Sequence, residues 1–298
     1  MRFLFVDRII QSSPGEFIRG LKHITKDDSY LTRDEQGRPC FMSSLIGETL
    51  GQLAAWNVMA HNNFTFRPVA GVVSSARLCR PAYVGETLLL ESYIDAVDDT
   101  AVQYHSIARV GNEPVFIVEG ALGPLLPMLD FIPTHEVQQQ YQEIYRPGDW
   151  ALISDSLHQA KLNTTIGNEA VSCTSMTFDR IIDSTPGERI SAEKRITRAA
   201  SYFADHFPKK PVLPMTVLLE CIQHLAGQFL AAASLVEQYQ ISELRKIKMN
   251  EFVQPGDVVS CSMKIKQQTP EELVLACRSE VNGKRVCVVE VVLNAKGK

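Results

Sequence analysis

The chain carries its own second copy. Asp7-Arg8-Ile9-Ile10 and the Pro14-Gly15-Glu16 turn return as Asp179-Arg180-Ile181-Ile182 and Pro186-Gly187-Glu188, a constant offset of 172 residues. The offset runs without a gap to Ala60/Ala232, with 19 identities over the 56 positions from 5 to 60. Further on it becomes 171, pairing Gly85-Glu86 with Gly256-Asp257, which places one extra residue in a loop. A chain of 298 residues suits about two domains, and a repeat near half that length predicts two similar lobes rather than a solenoid. The expected division is repeat one over 1–123, a linker without counterpart over 124–172, and repeat two over 173–298.

With 45% apolar residues, 21% charged and a formal net charge of −4, the chain can bury a sizeable core and has no overall basic field for nucleic acid. Seven cysteines, odd in number and without CxxC spacing, read as reduced thiols and favour a cytoplasmic setting. No uninterrupted apolar run reaches about 18 residues, so no membrane span is expected.

Each repeat has the same order. A strand-like start (3–10 and 175–182) precedes a Ser-x-Pro-Gly-Glu or Ser-Thr-Pro-Gly-Glu turn and a second strand, then one long apolar helix (43–60 and 215–235), then a meander of strands. Neither helix shows a charged face, and a helix apolar on all sides is a buried one. The predicted class is therefore α+β: each helix wrapped by a curved antiparallel sheet of its own repeat, the hotdog shape, present twice. An open sheet edge on each repeat predicts that the two join side by side with their helices adjacent. In the linker, 136–145 reads as a short helix and 162–170 as loop, the whole running over the outside.

A carboxylate on a buried helix is expensive unless paired or protonated, yet each repeat has one at the same place: Glu48 and Glu220. Four residues on, and so on the same helix face, stand Gln52 and His224. Fourteen residues before Glu220 comes His206, in HFPKKPVLP over 206–214; repeat one has Asp34 at the matching position and lacks the histidine. No histidine lies at metal-ligand spacing.

The His-Phe-Pro segment, the glutamate fourteen residues later and Val253-Gln254-Pro255-Gly256-Asp257 together resemble the beta-hydroxyacyl-ACP dehydratases of fatty-acid synthesis. Two fused copies are similar to the double-hotdog dehydratase domains of polyketide and polyunsaturated fatty-acid synthases. The resemblance implies a site between the repeats, His206 facing Glu48 with Gln52 in support, and an opposite pseudo-site of Glu220, His224 and Asp34. It implies a 3-hydroxyacyl thioester of acyl carrier protein or CoA as substrate, and no cofactor or metal. In that chemistry His206 takes the C2 proton, a protonated Glu48 donates to the leaving hydroxyl, and N–H groups at the helix start near Met215 hold the thioester oxygen. The family's glycine after the last proline is Met215 here, a bulkier residue. Lys209-Lys210 and the basic run 245–248 are either carrier contacts or solvated charge. Other hotdog classes remain open at this point, namely a non-catalytic acyl-binding module and a thioesterase, as does homo-oligomer assembly beyond the fused pair.

Overall fold

A computed structural model describes residues 3–151, 173 and 175–296. Repeat one runs β1 (Arg8–Ser13), β2 (Phe17–His23), β3 (Leu31–Arg33), β4 (Pro39–Phe41), α1 (Ser43–His61), β5 (Phe66–Pro68), β6 (Val72–Leu78), β7 (Ala82–Tyr83), β8 (Thr87–Val97), β9 (Ala101–Val110) and β10 (Glu113–Pro127). After α2 (Thr134–Ile144), repeat two runs β11 (Arg180–Thr185), β12 (Arg189–Arg195), α3 (Met215–Ala232), β13 (Tyr239–Met249), β14 (Val258–Gln268), β15 (Glu272–Val281) and β16 (Lys284–Ala295). The offsets of the sequence repeat carry β1 onto β11, β2 onto β12, β8 onto β14 and β9 onto β15, residue for residue.

All long strands belong to one antiparallel sheet, ordered β1-β2-β8-β9-β10-β6 and then β13-β16-β15-β14-β12-β11. The second half is the first in reverse, so the repeats meet edge to edge where β6 pairs β13, Ala76 opposite Leu244 and Val73 opposite Ile247. Each repeat alone would leave that edge's N–H and C=O groups unpaired; the joint ladder satisfies both. The sheet curves around α1 and α3, whose apolar side chains fill it: Leu45, Ile46, Leu50 and Leu53 of α1 and Leu218 and Ile222 of α3 are wholly buried. This is a double hotdog. By length and composition α3 passes as a membrane span, but 61% of that stretch is buried inside the protein, as for a core helix.

Several local features depart from the sequence expectations. The helix of repeat two stops at Ala232, not 235, because Ser234 turns left-handed (φ 57°) and the Leu235 N–H reaches back to the Leu230 carbonyl. Residues 3–7 are not strand: the Phe3 N–H donates to Asp205 and the Phe5 N–H to Gln52, pinning the segment between the repeats. The linker does not stay outside throughout. Phe131 is fully buried with its ring edge on Phe207 (5.0 Å), and its carbonyl accepts from the Lys209 N–H, so the linker's first residues fill a gap between the repeats. Apolar residues so placed cannot be left in water. The later linker does run outside: the N–H groups of Arg146 and Gly148 donate to the carbonyls of Ile9 and Ile10, and Trp150 packs over Ile10, Leu21 and Leu89. The expected loop over 162–170 lies outside the described residues.

That edge strap makes identical sequence behave differently. Ile9 and Ile10 are 0% and 1% exposed, whereas their counterparts Ile181 and Ile182, on the uncovered edge strand β11, are 41% and 54% exposed. Ile10→Ala is expected to cost about 2–5 kcal/mol in chemical denaturation, and Ile182→Ala less than about 0.5 kcal/mol. Equal losses would contradict the account of the strap.

Candidate active site

The two helices cross so that each stabilises the other's carboxylate. Thr216, second residue of α3, donates its hydroxyl to Oε2 of Glu48 on α1 at 2.7 Å. At the matching position Ser44, second residue of α1, donates to Oε2 of Glu220 on α3 at 2.5 Å. The pseudo-twofold relation between the repeats makes this reciprocity automatic, because 44 and 216, like 48 and 220, are equivalent positions. Glu220 is buried and Glu48, against expectation, only half-buried; a carboxylate withdrawn from water is tolerable when its oxygens are hydrogen-bonded, and these hydroxyls supply the bonds across the interface. Glu48 has a second partner: Gln52 donates Nε2 to Oε1 at 3.0 Å, while its amide is fixed by the Phe3 carbonyl and the Phe5 N–H.

His206 is oriented by its own loop. Its backbone N–H donates to Tyr202, its carbonyl accepts from Val212, and Nδ1 lies 2.9 Å from the Val212 carbonyl. A carbonyl only accepts, so Nδ1 carries the proton and Nε2 is left as the basic nitrogen. The ring is framed by Phe3, edge-on at 6.0 Å, and Phe207, stacked at 4.0 Å. Burial holds the imidazole's pKa below its ordinary value; the charge of Glu48 and the Val212 carbonyl pull it up, and Arg67 pushes it down, with burial the largest influence.

His206, Glu48, Gln52, Thr216 and Met215 all border one cavity of about 420 Å³ between the repeats, otherwise lined mostly by apolar side chains. Two glycines of α1, Gly47 and Gly51, make part of its wall; a Cβ at Gly47 would stand 3.3 Å from Phe116, and one at Gly51 3.6 Å from the Tyr104 hydroxyl. Their counterparts on α3 are Leu219 and Gln223. A helix-interior glycine costs roughly 1 kcal/mol against alanine, so the space along α1 is kept at some expense of stability. Met215 takes the first position of α3 and is itself part of the wall, so its bulk narrows the cavity without preventing it.

Two further polar residues of the cavity gave no signal in the sequence. Arg67, on β5, lays its guanidinium over the Phe207 ring at 3.9 Å and near that of Phe131 at 5.6 Å. Its Nε is buried and has no hydrogen-bond partner among the described residues. Burial lowers its pKa to about 10, against the opposing pull of Glu48, so it remains charged at neutral pH. Tyr104 is pushed up to about 12 by burial, with a smaller push from Glu48, and is a neutral phenol.

The opposite set is built differently. Glu220 accepts from the Ser44 N–H and hydroxyl and from Gln223 at 3.4 Å, with His224 Nε2 at 3.8 Å. Asp34 is not brought into this group. Its carboxylate closes the β3–β4 hairpin, accepting from the Arg38 N–H and guanidinium, the Gln36 N–H and the Tyr83 hydroxyl. Burial pushes the Asp34 pKa up, but the Arg38 and Tyr83 contacts outweigh it and the net shift is downward. Of the described residues bordering the cavity, none is Glu220, His224 or Asp34. Among the described residues no three His, Cys, Asp or Glu side chains converge as a metal site. The basic run on β13 is largely neutralised within the sheet, Arg245 by Glu243 and Glu272 and Lys246 by Glu290.

Comparison with known proteins finds similarity to dehydratases over part of the chain. A family model described as ApeI-like, the ApeI dehydratase, matches residues 183–288. The 3-hydroxyacyl-[acyl-carrier-protein] dehydratase FabZ of Shewanella woodyi is 29% identical over 119 residues, 39% of this chain and 78% of that protein. FabZ of Levilactobacillus brevis is 27% identical over 119 residues, 38% of this chain and 78% of that protein. Over nearly the whole chain the fold matches the dehydratase domain of PpsC from Mycobacterium tuberculosis, solved in complex with C12:1-CoA (TM-score 0.53, 12% identity, 98% of both chains). It equally matches the 12:0-ACP thioesterase of Umbellularia californica (TM-score 0.52, 14% identity, 94% of both chains), and at such identities both show a shared fold alone. The dehydratase signature rests on the family model and the FabZ relatives, each of which matches well under half of the chain, and over that part the chain is similar to these dehydratases.

Proposed function

We propose that the protein removes water from a 3-hydroxyacyl thioester, carried by acyl carrier protein or CoA, to give the 2-enoyl thioester. The observation that carries this reading is the pairing, in one apolar cavity, of a histidine from repeat two whose Nε2 is unprotonated with a glutamate from repeat one. His206 Nε2 takes the proton from C2 and ends protonated. The C2 electron pair forms the C2–C3 double bond as the C3–oxygen bond breaks, and Glu48 gives its proton to the departing hydroxyl, which leaves as water. A proton passing from His206 back to Glu48 restores the starting state.

Thr216 suits a glutamate that must exist in both forms. The Thr216 hydroxyl donates to Oε2 of the carboxylate and can donate to a lone pair of the same oxygen in the acid, so the 2.7 Å contact persists while the acidic proton is left for the substrate. Gln52 can only donate to Oε1, which directs the acidic proton to Oε2.

Incubation with 3-hydroxyacyl thioesters of several chain lengths, followed by mass spectrometry, tests the reading: loss of water is expected, and loss of the acyl group instead would make the protein a thioesterase. His206→Ala and Glu48→Gln are each expected to lower kcat by about a hundredfold to ten-thousandfold, while Glu220→Gln and Asp34→Asn keep most of it. Equal damage from Glu48→Gln and Glu220→Gln would contradict the cross-repeat pairing. Thr216→Val is expected to lower kcat/KM by roughly tenfold or more, the scale of a lost hydrogen bond to a charged group, with Thr216→Ser near wild type.

The pH dependence follows from His206. A base works only when unprotonated, and burial holds this imidazole below its ordinary 6.5, so kcat/KM should fall on acidification with a midpoint below 6.5. A midpoint above 6.5 would mean that the charge of Glu48 dominates burial.

A further inference from the structure

We propose that the Arg67 guanidinium receives the thioester oxygen of the substrate and stabilises the negative charge that develops there when C2 loses its proton. The proposal rests on the dehydratase reading and assigns a residue to a role that the helix start near Met215 was expected to fill alone.

A buried cation without a hydrogen-bonding anion costs several kcal/mol. Arg67 is such a group: its Nε–H is buried and without a partner among the described residues, and its side chain borders the cavity that holds His206 and Glu48. Its contacts with the faces of Phe207 and Phe131 satisfy the ring-facing side of the guanidinium but accept no N–H. An acceptor entering the cavity is therefore what this donor lacks.

Charge decides which acceptor. With Glu48 carrying the proton it gives to the leaving hydroxyl and His206 held neutral by burial, Arg67 is the charged side chain of this group. A thioester carbonyl is neutral on binding. When its C2 proton moves to His206, the new negative charge on oxygen is matched by the new positive charge on the imidazole, and a fixed guanidinium donor strengthens with the charge. Placement agrees: Phe207 stacks on the imidazole at 4.0 Å and carries the guanidinium at 3.9 Å, and the thioester oxygen lies only two bonds from C2. The same ring that orients His206 thus also positions the donor.

The test compares wild type, Arg67→Met and Arg67→Lys in two assays, with thermal unfolding to verify folding. The first is dehydration of a 3-hydroxyacyl thioester. The second is exchange of the C2 hydrogens of the saturated acyl thioester in D₂O, which reports proton removal without a leaving group. Arg67→Met is expected to lower kcat and C2 exchange together by about a hundredfold to a thousandfold, the usual cost of one oxyanion donor, with KM changed only a few-fold. Arg67→Lys, which keeps a charged donor, is expected to recover part of both. A folded Arg67→Met enzyme with wild-type kcat and exchange, or one impaired only through KM, overturns the proposal while leaving the dehydratase reading intact. A wild-type protein inert towards 3-hydroxyacyl thioesters sinks that reading and the proposal with it.

Discussion

The antiparallel ladder between β6 and β13 is the contact on which the remaining architecture depends. It turns two half-barrels into one sheet, sets α1 beside α3, and so brings the second residue of each helix to the glutamate of the other. A buried carboxylate in an isolated repeat would have only its own helix to turn to. Across the joint it finds a hydroxyl, and the same joint closes the cavity in which Glu48 and His206 meet. Fold closure and site assembly are consequences of one strand pairing.

Within this symmetric frame three differences set the side that holds the cavity apart from the other. Gly47 and Gly51 open space along α1 where α3 carries Leu219 and Gln223. The histidine loop of repeat two has, in repeat one, a hairpin locked by Asp34 and Arg38. Among the described residues the linker inserts Phe131 against Phe207 and straps β1, whereas Ile181 and Ile182 of β11 are exposed. Duplication supplies two equivalent positions, and divergence distinguishes the one that borders the cavity of Glu48 and His206.

Much of this was legible in the sequence, and the boundary of what was not has a physical reason. The repeat offset anticipated the order and equivalence of the elements, though not the limits of the first strands, because period-two and period-3.6 patterns are local. Glu48 stood out because a carboxylate on an apolar helix is costly, Gln52 as the polar residue four places on, His206 for its proline-rich loop, and Met215 only against the glycine of the family that the segment resembles. Thr216 and Ser44 gave no such alarm, since a hydroxyl near a helix start is ordinary; only their equivalence under the repeat offered a clue. Arg67 lies in the stretch between residues 60 and 85 over which the offset changes by one, so no counterpart drew attention to it, and its isolation is a property of the folded cavity. The inward turn of the linker was missed for a similar reason: Phe131 and Ile132 were visible as apolar residues, but not the gap that they fill. Asp34 shared a position with His206, and position alone did not reveal that Arg38, four residues on, would hold it in a hairpin.

The central claim is that one thioester site lies at the joint, with its acyl group between a histidine of one repeat and a glutamate of the other. The most direct measurement is a crystal structure of the Glu48→Gln variant with a 3-hydroxyacyl thioester bound. The account requires the 3-hydroxyl oxygen to lie within about 3.2 Å of the residue 48 side chain and C2 to face His206 Nε2. An acyl group seated instead against Glu220 and His224, or with its 3-hydroxyl out of reach of both helices, would contradict it.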